Sequence, residues 1–369
     1  MTRILALLLC FAAFATGAQA YGPDGHRMVG AIADRRLANT PTGEKVAQLL
    51  DGFTLEKAAL IPDEIKGWDK KGADDPNIFH YTSRPRIDEQ LRAFWNANPP
   101  THDHNSPVPS HHWFHYTDVP VTGGGKYGDA AAGRNKWDIV QMIPYCIRVL
   151  RGEEPEDNPR KITKPIAIIL LAHFVGDIHQ PLHVGAEFFD EKGQPANPET
   201  NKAALPDEGG NTLNFRLTPR PGEQPNRRRL KLHSFWDNDT IVAHLPAFPE
   251  EMPKEERRAA MDVARNELVD RLMKQEPKGW RMPEKMDAAD YAEAWADEIL
   301  PLAREARARL RYDKVEPKLE HDGMVAAGLV YEKPADDKVP YRDWSAKVAL
   351  NEVHKAGWRL ADLLEKIVK

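Results

Sequence analysis

The chain has 369 residues, a length that is compatible with one large domain or with two. Its formal net charge of −5 excludes long-range attraction of a polyanion by overall charge, so any binding of nucleic acid requires a local positive field. With only two cysteines, Cys10 and Cys146, the sequence also excludes a fold held together by several disulfide bonds.

Residues 1–20 have the pattern of a signal peptide for export. Arg3 supplies the positive start, an apolar run follows to Ala18, and Ala18-Gln19-Ala20 forms a small-residue cleavage site. The alternatives are a membrane anchor, for which the run is short, and lipidation of Cys10, which Leu9 disfavours because a small residue is required there. We therefore expect the mature chain to begin at Tyr21.

Cleavage would remove Arg3 and Cys10, which makes the net charge one unit more negative and leaves Cys146 as the only cysteine. No intramolecular disulfide is then possible. For an exported chain of this size, that composition predicts a periplasmic or secreted bacterial protein. Cys146 lies in an apolar run with helical spacing, and we interpret it as a small core residue rather than a ligand.

Apolar residues at three- and four-residue spacing predict a mostly helical chain, and few segments alternate as strands do. Between the helices we expect long loops rich in proline and glycine, which tend to be functional or mobile. We find no repeats and no second membrane span. The predicted loops are 67–112, 119–135, 185–229 and 313–338. The predicted helices are 27–38, 137–151, 164–180, 230–242, 254–274, 287–312 and 341–367.

The most informative stretch runs from His173 to His183. On a helix, His173 and Asp177 are one turn apart on the same face, which allows both side chains to reach one metal ion. His183 lies beyond Pro181, which interrupts the helix, so it should serve a different ion. A histidine near an aspartate on an apolar helix is also a common core pair, and this motif alone does not separate the two interpretations.

A second His-x-x-x-Asp spacing, His233 to Asp237, favours the metal interpretation. His26 also lies in a glycine-rich context close to the expected mature N-terminus. A mixture of histidine and carboxylate donors without cysteine suits zinc and leaves room for open catalytic positions. The side-chain donors in apolar or loop contexts are His26, Asp63, His115, His173, Asp177, His183, His233 and Asp237.

These motifs, in this order, resemble the S1/P1 nuclease family, the zinc-dependent single-strand nucleases whose fold is shared with bacterial zinc phospholipase C. The resemblance covers nearly the whole mature chain and implies a single all-α domain over residues 21–369, with loop insertions near 67–112 and 185–229 and three zinc ions in its cleft. The matching pieces are Tyr21-Gly22-x-x-Gly25-His26, Asp63, Trp113 to Asp118, His173 to His183, Gly209-Gly210-Asn211, His233-x-x-x-Asp237, and Ala356 to Ala361.

The resemblance also implies three sets of ligands. One zinc would be held by Asp63, His115, His173 and Asp177. A second would be held by the amino group and carbonyl oxygen of Tyr21, by His26, and by Asp177 as a bridging carboxylate. The third would be held by His183, His233 and Asp237.

For catalysis, the resemblance implies that Asp63 orients the attacking water and that Lys66 stands where the family has a phosphate-clamping arginine. Lysine lacks the bidentate fork of arginine, so rate or substrate range could differ. Tyr116 is a candidate to stack on a base and Asp118 to bind its edge, while Asn211 completes the substrate-binding set. Stacking needs unpaired bases, which predicts a single-strand preference.

The expected activity is hydrolysis of single-stranded DNA or RNA to 5′-phosphorylated products, with 3′-nucleotidase activity. The alternatives are a phospholipase C acting on phospholipids and a periplasmic zinc-binding protein without catalysis. We expect no stable membrane association and no obligate protein partner. One assignment stays open, because Phe79-His80-Tyr81-Thr82 copies the sequence around His115; we favour His115. No role is assigned to His102, His104, His111, His112 and His179.

Overall fold

The computed structural model describes residues 21–101, 106–218, 230–249, 251–320 and 323–368. The predicted signal peptide at 1–20, with Arg3 and Cys10, lies outside the described residues, as do His102 and His104. Within the described ranges, none of the helices combines the length and the apolar character that a membrane span requires.

The fold is mainly helical, as predicted, and each predicted helical segment contains a helix. The prediction missed four helices, Pro41–Leu49, Leu55–Ala58, Ile61–Glu64 and Pro85–Ala97, and the last lies inside the segment 67–112 that was assigned to a loop. The α-helices are α1 Pro23–Leu37, α2 Pro41–Leu49, α3 Leu55–Ala58, α4 Ile61–Glu64, α5 Pro85–Ala97, α6 Ile139–Arg151, α7 Lys164–Asp177, α8 Leu232–Ser234, α9 Thr240–Val242, α10 Lys254–Leu272, α11 Tyr291–Ala308 and α12 Tyr341–Ile367.

Helix α7 lies at the centre of the larger core. Its first turn is capped by the Thr163 side chain, and every residue from Pro165 to Asp177 is buried. A helix that is apolar on all faces is expected to be enclosed by other elements, and α7 contacts α1, α6 and α12. His173 and Asp177 are thereby held in the interior.

The strands are β1 Val119–Pro120, β2 Gly185–Ala186, β3 Phe188–Phe189, β4 Leu205–Pro206, β5 Leu213–Arg216, β6 Leu230–Lys231, β7 Leu310–Glu320 and β8 Gly323–Glu332. Four of these strands form one sheet in the order β6-β5-β8-β7. In this sheet β5 and β8 are parallel, and the other two neighbouring pairs are antiparallel. This sheet covers a smaller core around Trp236.

The prediction of a loop at 313–338 is wrong, because β7 and β8 form a long hairpin there. In β7 only Leu310 and Val315 are buried, and most of the other side chains are at least partly exposed. Because so few of its side chains are buried, the strand lacks the alternation of apolar and polar residues by which a half-buried strand is recognised in a sequence. An all-α description therefore omits a four-stranded sheet.

Helix α1 is set close to its neighbours by a glycine. A Cβ at Gly30 would lie 2.3 Å from the carbonyl oxygen of Leu55, at the start of α3. Backbone atoms cannot yield as a flexible side chain can, so the close approach requires glycine. This packing fixes α1, which carries His26.

We predict that Gly30→Ala lowers the free energy of unfolding by about 1–3 kcal/mol, because the added methyl group overpacks a backbone contact. The control is Gly125→Ala, whose Cβ would meet nothing closer than 3.5 Å, at Asp129. The control should stay within about 0.5 kcal/mol of wild type in urea unfolding. Equal stability of the two variants would contradict the proposed close contact.

Candidate metal centre

Asp177, the last residue of α7, is completely buried and lies among three histidines. One carboxylate oxygen, Oδ1, is 3.1 Å from His26 Nε2 on α1. The other, Oδ2, is 3.0 Å from His115 Nδ1, in the 3₁₀ helix His111–His115, and 3.2 Å from His173 Nε2. The carboxylate thus faces different histidines with its two oxygens, which is the arrangement expected of a ligand shared by two ions.

Several buried polar atoms of this cluster have no hydrogen-bond partner, namely both ring nitrogens of His26 and Oδ1 of Asp177. The His26–Asp177 pair is close but is not aligned as a hydrogen bond. His173 donates its Nδ1 proton to the carbonyl oxygen of Ala59 at 2.6 Å, so in the neutral ring Nε2 offers a lone pair to the cluster. An unpaired buried polar atom costs about 1–3 kcal/mol. A cation between these donors would satisfy them together, so the residues fit a metal ion.

A second cluster contains His183, His233 and Asp237, all of them buried. Nδ1 of His183 donates to the carbonyl oxygen of His115 at 2.8 Å, and Nδ1 of His233 donates to that of Gly209 at 2.9 Å. Neutral rings held in this way direct two unprotonated Nε2 atoms at each other, and these are 3.0 Å apart. Neither can donate to the other in this form, so a cation bound by both Nε2 atoms would satisfy the pair.

Asp237 completes that second cluster. Its Oδ2 is 3.5 Å from His233 Nε2 and its Oδ1 is 3.9 Å from His183 Nε2. Gln180 donates from Nε2 to Asp237 Oδ1 at 2.8 Å and thereby fixes the orientation of the carboxylate. His233 and Asp237 lie in a helical stretch that passes from α8 into a π-helix at Phe235–Asp239.

The carboxyl groups of Asp177 and Asp237 have pKa values that are shifted in opposite directions. Burial alone would raise the pKa of Asp177, but His173 and the hydrogen bonds from the surrounding histidines hold it well below its usual range. Burial, together with Asp63 and Asp177, raises the pKa of Asp237 well above its usual range. A bound cation would favour the ionised form of both.

The histidines are mostly in the form that ligates metal. Burial lowers the pKa of His26, His115, His183 and His233, so these rings are neutral at neutral pH. His173 differs: burial would lower its pKa, but the carboxylates of Asp177 and Asp63 raise it.

Asp63 and Lys66 lie at the edge of the first cluster. Asp63, on α4, places Oδ1 3.8 Å from His173 Nε2 and 2.7 Å from Lys66 Nζ. Burial alone would raise the pKa of Asp63, but Lys66 and the nearby histidines lower it below its usual range. Lys66 is in the 3₁₀ helix Ile65–Trp68, and 16% of its side chain is exposed. The positively charged ammonium group of Lys66 therefore lies close to the buried donor atoms of the first cluster.

Tyr21 begins the described chain, and its carbonyl oxygen accepts the N–H of His26 at 3.3 Å. Its side chain is buried and its hydroxyl donates to the carbonyl oxygen of His179. The next residue, Gly22, donates its N–H to the carbonyl oxygen of Asp237 at 2.6 Å. The ring of His179 contacts the carbonyl oxygen of Val175 and the guanidinium group of Arg359.

The predicted substrate-binding residues are half-buried. Tyr116 directly follows His115, and Asp118 donates its N–H to the carbonyl oxygen of Gly133. Burial, with Asp207 and Glu208 nearby, raises the pKa of Asp118 well above its usual range. Asn211 donates from Nδ2 to the carbonyl oxygen of Glu208.

His115 joins the first cluster and His80 does not. His80 contacts the carbonyl oxygen of Asp75 with Nε2 and lies 3.7 Å from Asp88. Sequence reasoning missed Gln180, although it lies inside the His173–His183 motif. It also gave no role to His111 and His112, which meet Asp69 across the segment 67–112.

Comparison with known proteins gives a consistent result over the described chain. A family model described as S1/P1 Nuclease matches residues 21–369. Endonuclease 4 of Arabidopsis thaliana is 29% identical over 150 residues, which are 37% of this chain and 42% of that protein. Endonuclease 1 is 32% identical over 94 residues, 26% of this chain and 22% of that protein. Endonuclease 2 is 23% identical over 221 residues, 60% of this chain and 56% of that protein. The chain therefore matches about a fifth to just over half the length of these relatives.

We predict that a chelator lowers the melting temperature by more than about 5 °C, because withdrawal of cations leaves buried donors unpaired. Differential scanning calorimetry measures this change. Chelator that is already saturated with zinc serves as the control and should have no effect. A melting temperature that does not respond to free chelator would contradict the assignment of these clusters as cation sites.

Proposed function

The chain belongs to the S1/P1 nuclease family, and from this we propose that it is a zinc-dependent phosphodiesterase that hydrolyses single-stranded DNA and RNA. The observation that carries the proposal is the sharing of Asp177 between His26 on one side and His115 and His173 on the other, beside a second His-His-Asp cluster. The proposal treats residues 21–369 as one catalytic domain.

The proposed ligand sets are those implied by the sequence. Asp63, His115, His173 and Asp177 would hold one ion, Tyr21, His26 and Asp177 a second, and His183, His233 and Asp237 a third. Bound zinc would activate the attacking water and neutralise charge on the phosphate. Tyr21 would contribute its amino group and carbonyl oxygen, and the amino group becomes available only if export cleaves the chain after Ala20.

The chain's own residues would position the reacting groups. Asp63, ionised beside Lys66, would accept a hydrogen bond from the attacking water and orient it. Lys66 would donate to a non-bridging phosphate oxygen and so stabilise the charge that develops in the transition state. In-line attack that breaks the bond to the 3′ oxygen leaves a 5′-phosphate, and a terminal 3′-phosphate would be removed by the same chemistry.

Selectivity for single strands would come from Tyr116, Asp118 and Asn211. A half-buried aromatic ring next to the ligand His115 can stack on an unpaired base. The raised pKa of Asp118 favours a protonated carboxyl, which can donate as well as accept at a base edge. A paired base in a duplex offers neither its face nor this edge.

The test is a parallel assay on single-stranded DNA, single-stranded RNA, duplex DNA and phosphatidylcholine, with analysis of product ends. We expect cleavage of both single strands to 5′-phosphorylated fragments. Hydrolysis of phosphatidylcholine alone would favour the phospholipase C alternative. Full zinc content without activity on any substrate would favour a metal-binding protein.

In the same assay, Asp177→Asn should lower kcat by more than about 100-fold and reduce zinc content, because the shared carboxylate loses its charge toward two ions. The matched control is Asp270→Asn, which makes the same change at a carboxylate whose side chain is 63% exposed. Near wild-type turnover and zinc content in Asp177→Asn would refute the shared-ligand assignment.

Lys66→Ala should lower kcat by about 100-fold with unchanged zinc content, because the ammonium group stabilises the transition state without binding metal. Lys66→Arg should retain activity, since guanidinium can bind phosphate through two hydrogen bonds. If Lys66→Ala turns over as fast as wild type, Lys66 has no catalytic role.

A further inference from the structure

A separate group of potential ligands lies where the segment 67–112 begins and ends. Asp69 follows the 3₁₀ helix Ile65–Trp68, and His111 and His112 open the 3₁₀ helix His111–His115. Nε2 of His111 is 3.3 Å from Asp69 Oδ1, and Nε2 of His112 is 2.7 Å from Asp69 Oδ2. One donor atom from each residue lies within 4.8 Å of the others.

The donor set is that of a metal site. Two imidazole nitrogens and one carboxylate oxygen are ligands that zinc and similar divalent ions accept. The Asp69 carboxylate approaches both rings at Nε2, the atom through which each ring would bind an ion. Three protein ligands leave a fourth tetrahedral position for water or another ligand.

Neighbouring groups orient these ligands. Trp95 on α5 donates from Nε1 to Asp69 Oδ1 at 3.1 Å. The Ser110 side chain accepts the N–H of His112, and His111 donates its own N–H to the carbonyl oxygen of Asn98. Such supporting contacts fix ligand geometry in known metal sites.

Access and charge are also suitable. The His111 side chain is only 2% exposed, whereas that of His112 is 40% exposed and offers a route for an ion. Burial lowers the pKa of His111 to about 4, so its ring is neutral at neutral pH. Burial alone would raise the pKa of Asp69, but hydrogen bonds from His111 and His112 lower it below its usual range.

We propose that Asp69, His111 and His112 form a further binding site for a divalent ion of the zinc class, distinct from the centre around Asp177. The ion would join the two ends of the segment 67–112. It would also link the 3₁₀ helix that carries Lys66 to the one that carries His115, and so hold both in position.

The first test is metal content after equilibration with zinc and removal of unbound ion. His112→Ala should bind one zinc fewer per chain than wild type, and so should Asp69→Asn, whose amide oxygen can still accept from Trp95 but carries no charge. The matched control is His244→Ala, another partly exposed histidine, whose Nε2 contacts a backbone carbonyl. Zinc content equal to wild type in His112→Ala and Asp69→Asn would show a hydrogen-bonded trio only and would overturn the proposal.

The second test looks for a new absorption band in a variant, whereas the first looks for a loss of bound zinc. In His112→Cys loaded with Co²⁺, we expect a thiolate-to-metal charge-transfer band that wild type lacks, because the wild-type cluster contains no thiol and Cys146 is buried. A folded His112→Cys protein without that band would also overturn the proposal. Both readouts are independent of hydrolysis, so they stand even if the chain proves inactive on nucleic acid.

Discussion

The structure depends on the complete burial of one carboxylate. Moving an isolated ionised carboxylate out of water costs many kcal/mol, and Asp177 is buried at the centre of the larger core. Its pKa is nevertheless held low, because His26, His115 and His173 converge on it from three different elements. Those elements must therefore meet at one point, and the packing of the helical core is arranged around that point.

Helix α7 supplies Asp177 and His173 from a fully enclosed position, where its apolar faces fix it against α1, α6 and α12. His183 and His233 lie in short helical segments, and backbone carbonyls of other short segments orient their rings. The carbonyl of His115 accepts from His183, and that of Gly209 accepts from His233. The rigid helix thus positions His173 and Asp177, while backbone carbonyls set the tautomers of His183 and His233.

Residue contacts could be predicted from the sequence where the partners are close together in the chain. His173 with Asp177, and His233 with Asp237, are one helical turn apart, so local spacing reveals them. Asp69 meets two histidines more than forty residues later, beyond a helix that was not predicted, and no spacing rule connects them. Helix α5 was missed although Ile87, Leu91 and Phe94 have helical spacing, because its proline- and glycine-rich flanks suggested a loop. Long-range pairing of this kind depends on tertiary structure.

The negative net charge of the chain would give the proposed metal centre a second role, in attracting an anionic substrate. A chain with a formal charge of −5 repels a polyanion at long range. Near the centre, Lys66 is already paired with Asp63, so that side chain alone adds little net positive field. An anionic substrate would therefore be attracted to this centre if bound cations exceeded the buried carboxylates in charge. Ions bound as proposed would satisfy the buried histidines and also create the local positive field that substrate binding requires, so metal loading would favour the binding of phosphate.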